Sequence, residues 1–186
     1  LSGRRLKSGA LVGFHARASD ALTAVPDCQM LHPTLLATLP ALEEVTLAGA
    51  SRKAELALTV TAFEDGVDLS VTGGKPLDTA LRVALPQIAA RHALARLTWE
   101  GDTLYQTHPP RLTFGRATVS PPPGAFLQAT GDGEATLVSA MLDAVGDARR
   151  IADLFAGCGT FALPLAENAE IHAVEGEAAM LAALDA

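Results

Sequence analysis

The chain has 186 residues, 49 % of them apolar, with two cysteines and a formal net charge of −7. That length supports a real core of one or two domains, the apolar content excludes a disordered chain, and two distant cysteines exclude a disulfide framework. No apolar run approaches the roughly 20 residues needed to cross a bilayer, and Leu1–Arg5 offers no signal-peptide segment, so a cytoplasmic setting without membrane contact is expected.

Gly3–Lys7 and Leu11–His15 flank Ser8-Gly9-Ala10, which predicts a hairpin. Pro33 stands at a first helical position, and Leu35, Leu36, Leu39, Leu42 and Val45 follow at helical spacing, with Pro40 expected to kink or divide the helix. Residues 54–62 and 67–71 alternate apolar and polar about Glu64-Asp65-Gly66, the strongest hairpin pattern present. Leu77, Leu81, Leu85 and Ile88 predict a second helix, and 94–99 with 103–107 a further strand pair. Strands and helices mix here without strict alternation, so residues 1–118 are expected to form an α+β domain.

Ser120-Pro121-Pro122-Pro123-Gly124 sustains neither helix nor central strand, and a domain boundary is expected there, with 119–186 as the second domain. An amphipathic helix from Asp132 or Gly133 to Gly146 leads into residues 149–175, which read as strand, glycine loop, helix and strand. This is the opening βαβ part of an α/β, Rossmann-like fold. Gly157 and Gly159 free backbone for close approach to a ligand, and Glu175, at the end of the second strand, is suited to ribose hydroxyls.

Charge is uneven: residues 1–118 carry 12 basic and 11 acidic side chains, and residues 119–186 carry 2 and 10. Arg4, Arg5, Lys7 and Arg17 fall within the first 17 residues with no acid among them, a field able to contact phosphates or simply a solvated strand face.

Gly157-Cys158-Gly159 with Ala162 also fits the dinucleotide pattern, leaving NAD or FAD open, as it leaves a turn that binds nothing. Asp153, four residues before Gly157, favours S-adenosylmethionine, since a carboxylate there can face the ligand's ammonium. Phe155 and Thr160 flank the turn. Cys158, between loop glycines, is rejected as a nucleophile. The five histidines show no metal-ligand spacing.

Taken together, Phe126-Leu127-Gln128, the helix after it, Asp153–Ala166 and Val174-Glu175-Gly176 resemble the bacterial RNA (uracil-5-)-methyltransferases, the RumA/TrmA family. Residues 1–118 resemble that family's central domain more weakly. The resemblance implies an S-adenosylmethionine site formed by Gln128, Phe155, Thr160 and Glu175, with Thr160 standing where an Asn is expected. It implies 5-methyluridine formation in RNA. No obligate protein partner is evident in the sequence. The segment around Cys28 resembles the one carrying the last of four cysteines that hold a [4Fe-4S] cluster in the ribosomal-RNA branch. Ribosomal RNA is therefore favoured over tRNA, and a cluster is expected only in a full-length protein. The family's nucleophilic cysteine and carboxylate base match no residue here, so the chain is expected to be an inactive fragment with an incomplete methyltransferase domain. Two other readings stay open: an NAD- or FAD-binding oxidoreductase fragment, and a non-catalytic RNA-docking module.

Overall fold

The computed structural model describes residues 1–185 and divides into two units, Leu1–Pro110 and Arg111 onward. In unit 1 the strands β1 (Ser2–Leu6), β2 (Gly9–His15), β3 (Leu22–Ala24), β4 (Leu56–Phe63), β5 (Gly66–Thr72), β6 (Arg96–Trp99) and β7 (Asp102–Gln106) form one sheet in the order β3-β2-β1-β4-β5-β6-β7. Neighbours are antiparallel except β5 and β6, which run parallel because α3 (Thr79–Arg91) carries the chain between them.

The expected hairpins form where the alternation placed them. Pro40 divides the first helical run into α1 (Pro33–Ala37) and α2 (Leu39–Gly49), with Thr38 between. A proline fits the first turn of α2, where its missing N–H has no partner to lose. Asp78 caps α3 by accepting the Leu81 N–H at 2.8 Å. α2 and α3 place Leu42, Val45, Leu81, Leu85 and Ile88 in one core with Leu56, Leu58, Leu69, Val71, Leu97 and Trp99 of the sheet.

Trp99 is fully buried, and its indole N–H donates to the Lys75 carbonyl at 3.1 Å. A Cβ on Gly49 would overlap that ring, so glycine is what allows α2 to close on the sheet. Across the parallel pair Asp68 lies opposite Arg96, and the two form a buried bidentate ion pair at 2.8 and 2.9 Å.

Unit 2 begins with a hairpin that the sequence reading did not foresee, β8 (Leu112–Phe114) and β9 (Ala117–Val119). Phe114 and Val119 pack with Cys158, Met180 and Ala183, so the division falls after Pro110 rather than after residue 118. The proline run follows that hairpin instead of separating the units. α4 (Gly131–Val145) then ends at Gly146 with φ +50°. β10 (Arg150–Leu154) and β11 (Glu170–Val174) form the expected parallel pair. The helix between them, α5 (Ala162–Leu165), is a single turn, and α6 (Ala178–Leu184) closes the unit. Among the described residues no helix is long and apolar enough to cross a membrane.

Candidate cofactor site

The glycine loop is fastened to the second strand. The N–H groups of Phe155 and Ala156 both donate to the Val174 carbonyl, at 2.8 and 3.1 Å. The Gly157 N–H donates to Glu175 Oε2 at 2.7 Å, and the Glu177 N–H to Oε1 at 2.8 Å. These donors, that of Glu177 foremost, hold the Glu175 carboxyl below its ordinary value. Each carboxylate oxygen keeps a lone pair, so the group can still receive a diol.

Phe155 takes φ +63°, a left-handed conformation that costs a side chain, yet its ring is 91 % exposed. Gly157 has φ +59° and open space where a Cβ would stand, touched only by the Met180 methyl. Gly159 differs: a Cβ there would overlap Leu163 and Leu184, so its missing side chain serves packing within the unit rather than access for a ligand.

Asp153 lies on the more buried face of β10 with Ile151. Its Oδ2 is buried without a hydrogen-bond partner. Burial raises the Asp153 pKa against a smaller, opposing influence of the nearby Ala162 N–H. Gln128 is half-buried in the segment before α4 and makes no hydrogen bond among the described residues. Thr160, half-buried in the turn, lines a cavity of about 320 Å³ together with Phe114, Glu134, Val138 and Glu167. The other expected residues do not line this cavity. Gly157 and Glu175 belong to the open strand ends, where Leu154 and Phe155 are exposed.

Glu134, whose carboxyl burial pushes up, is the group the sequence reading missed. Its only signal was an acid in the first turn of an amphipathic helix, where carboxylates commonly serve the helix dipole. Cys158 is buried, and burial raises its thiol with a smaller contribution from Glu134, the opposite of nucleophile activation.

Cys28 belongs to unit 1, half-buried among turns, and its N–H reaches the Val25 carbonyl at 3.4 Å. No group of three metal-ligating side chains occurs among the described residues, so this chain's residues do not fit an iron–sulfur cluster of their own. The histidines serve local structure where they are bonded: His15 meets Glu55 at 2.9 Å, His92 meets Glu44 at 3.3 Å, and His32 accepts the Thr34 N–H at 3.3 Å.

No family model matches the chain. Curated proteins do. An uncharacterised RNA methyltransferase of Brucella suis is 41 % identical over 184 residues, covering 99 % of this chain and 44 % of that protein. One of Caulobacter vibrioides is 36 % identical, over 96 % of this chain and 44 % of its own length. The 23S rRNA (uracil(1939)-C(5))-methyltransferase RlmD of Nitrosococcus oceani is 29 % identical, over 95 % of this chain and 42 % of its own length. The chain thus spans somewhat under half of the relatives it matches. Among solved structures, the tRNA (uracil-54, C5)-methyltransferase of Pyrococcus abyssi in complex with S-adenosyl-L-homocysteine shares the fold, with TM-score 0.65 and 14 % identity over 100 % of this chain and 50 % of that one. Along nearly the whole of its length the chain is thus similar to RNA methyltransferases, one of them a uracil-C5 enzyme, and it shares its fold with another.

Proposed function

We propose that the chain forms the central domain and the first part of the cofactor domain of an S-adenosylmethionine-dependent enzyme that makes 5-methyluridine in RNA in the cytoplasm. Ribosomal RNA is the favoured substrate, on the Cys28 segment and on the likeness to a 23S rRNA enzyme. The observation that carries the reading is the orphaned Asp153 Oδ2 beside a loop whose other end is held by Glu175. One unmatched buried acceptor suits an ammonium, and one carboxylate with spare lone pairs suits a ribose diol.

When bound, S-adenosylmethionine supplies an electrophilic methyl group on sulfonium. Within this chain Asp153 would hold the ammonium, Glu175 the ribose hydroxyls and Gly157 the space the ligand needs. Phe155 would offer its ring as an apolar wall, with Gln128 and Thr160 adding hydrogen bonds. Methylation at uracil C5 also needs a thiolate to add to C6 and a base to take the C5 proton. Cys158 is unsuited to the first task and Cys28 is proposed for neither, so the 186-residue chain alone transfers no methyl group. Cys28 would ligate a cluster only beside thiolates supplied from elsewhere.

Calorimetric titration of the chain with S-adenosylhomocysteine and with NADH tests the reading. Saturable heat with the first and none with the second is expected. Preferential binding of NADH would move the chain to the oxidoreductases.

A further inference from the structure

The four cations near the start of the sequence do not form one patch. Lys7 lies in the β1–β2 turn, whereas Arg17 follows the far end of β2. The pairings Ser2↔Gly13 and Ser2↔Ala57 bring that far end beside the starts of β1 and β4. At this corner Glu55 holds two residues at once: Arg4, through Nε at 2.6 Å, and His15, through Nε2 at 2.9 Å.

Two loops then add cations that sequence order kept apart. The turn after His15 carries Arg17 and is closed by Ala16 N–H to Ala21 carbonyl at 2.9 Å. The loop before β4 carries Arg52 and Lys53, and Ser51 Oγ shapes it by accepting the N–H groups of Lys53 at 3.2 Å and Ala54 at 3.0 Å. Arg17, Arg52 and Lys53 are exposed and form no ion pair among the described residues. Arg17 is two residues from His15, and Arg52 and Lys53 are three and two from Glu55, so the backbones of all three lie within roughly 30 Å of one another.

The corner sets Arg4, Arg17, Arg52 and Lys53 against Asp20 and Glu55, a surplus of two positive charges on a chain of net −7. Glu100 and Asp102 lie at the β6–β7 side of the same sheet end, so the positive field is confined to the β1–β2–β4 side. By strand alternation and pairing, Ser2, Arg4, Thr59, Ser70 and Thr72 share the sheet face opposite Leu56 and Leu58. That face offers hydroxyl donors beside the cations, and the strand alternation puts Phe14 and Tyr105 on the other face.

We propose that this corner is a docking surface for the phosphodiester backbone of single-stranded RNA, contacting phosphate and sugar without reading bases. The inference rests on the RNA substrate class proposed above and names where unit 1 meets it. Cations with hydroxyls and no aromatic platform suit backbone contact, whereas base recognition in single strands uses stacking.

The test is fluorescence anisotropy of labelled U20 and A20 RNA with the full 186-residue chain between 50 and 200 mM NaCl. Three lost phosphate contacts reduce the logarithmic salt slope by about 2, worth about a twentyfold difference in affinity change over that range. Arg17→Ala/Arg52→Ala/Lys53→Ala is expected to show this loss for both RNAs alike. Lys7→Ala/Arg82→Ala/Arg150→Ala removes the same charge elsewhere and is expected to leave the slope unchanged. Equal flattening by both triples, an unchanged slope in the first, or displacement of RNA by polyglutamate at matched charge would overturn the proposal. Binding of S-adenosylhomocysteine is measured on the same samples: retained cofactor binding with failed RNA binding rejects this surface alone, while loss of both in the wild-type chain rejects the methyltransferase reading.

Discussion

Phe155→Gly should make unit 2 more stable while weakening its hold on cofactor. The ring is 91 % exposed, so its removal forfeits almost no buried area. The residue sits at φ +63°, where a left-handed L-residue costs about 1–2 kcal/mol. Glycine removes that cost but adds about 0.5–1 kcal/mol of chain entropy. The net gain is about 0.5–1 kcal/mol, equivalent to a rise of roughly 2–8 °C for a unit of this size. Phe155→Ala separates the two effects, because it deletes the ring yet keeps the left-handed cost. Trp99, the only tryptophan, lies in unit 1, so far-ultraviolet circular dichroism and hydrogen exchange over 150–174 are the suitable probes. Both variants should lose affinity for S-adenosylhomocysteine to a similar degree, and only the glycine variant should gain stability. Equal stability of the alanine and glycine variants would refute the argument from backbone strain; undiminished affinity in both would refute a role for the ring.

Three other outcomes follow from the packing and electrostatics. Asp68→Asn should cost about 3–5 kcal/mol, read as a lower urea midpoint of Trp99 fluorescence, because it takes the counter-charge from a buried bidentate pair; Thr59→Ala, at an exposed position of β4, should change that midpoint little. Gly49→Ala should cost about 1–3 kcal/mol by the same readout, since its methyl must displace the Trp99 indole. The Glu175 carboxyl is held below its ordinary value of 4.5, so its contribution to loop order is complete above that pH and lost as pH falls through the depressed folded value. The Gly157 amide resonance should therefore titrate with a midpoint below 4.5, and Glu175→Gln should abolish that titration.

Sequence reading succeeded where local pattern and tertiary packing agree. β4 and β5 alternate cleanly because one face meets α2 and α3, and their turn contains the glycine a hairpin accepts. It failed on short elements: β8 and β9 have three residues each, too few for a period to show, and missing them shifted the expected domain boundary. Asp68 and Arg96 read as polar positions in separate strands, and only the parallel pairing through α3 makes them partners. Around the candidate site, the strand–loop–strand placement of Gly157 and Glu175 was legible because the parallel pair of β10 and β11 sets it. The packing role of Gly159 was not, since the leucines that fill its space come from two different helices. Arg52 and Lys53 also looked unremarkable until strand order brought their loop beside Arg17.

Because Phe155, Ala156 and Gly157 all donate to the end of β11, the loop hangs from the second strand as much as from the first. A hydroxyl pair that draws on Glu175 alters the same carboxylate that restrains the Gly157 amide. Glu175→Gln should therefore loosen the Gly157 end of the loop as well as change the carboxylate itself, so one side chain sets the order of both strand ends.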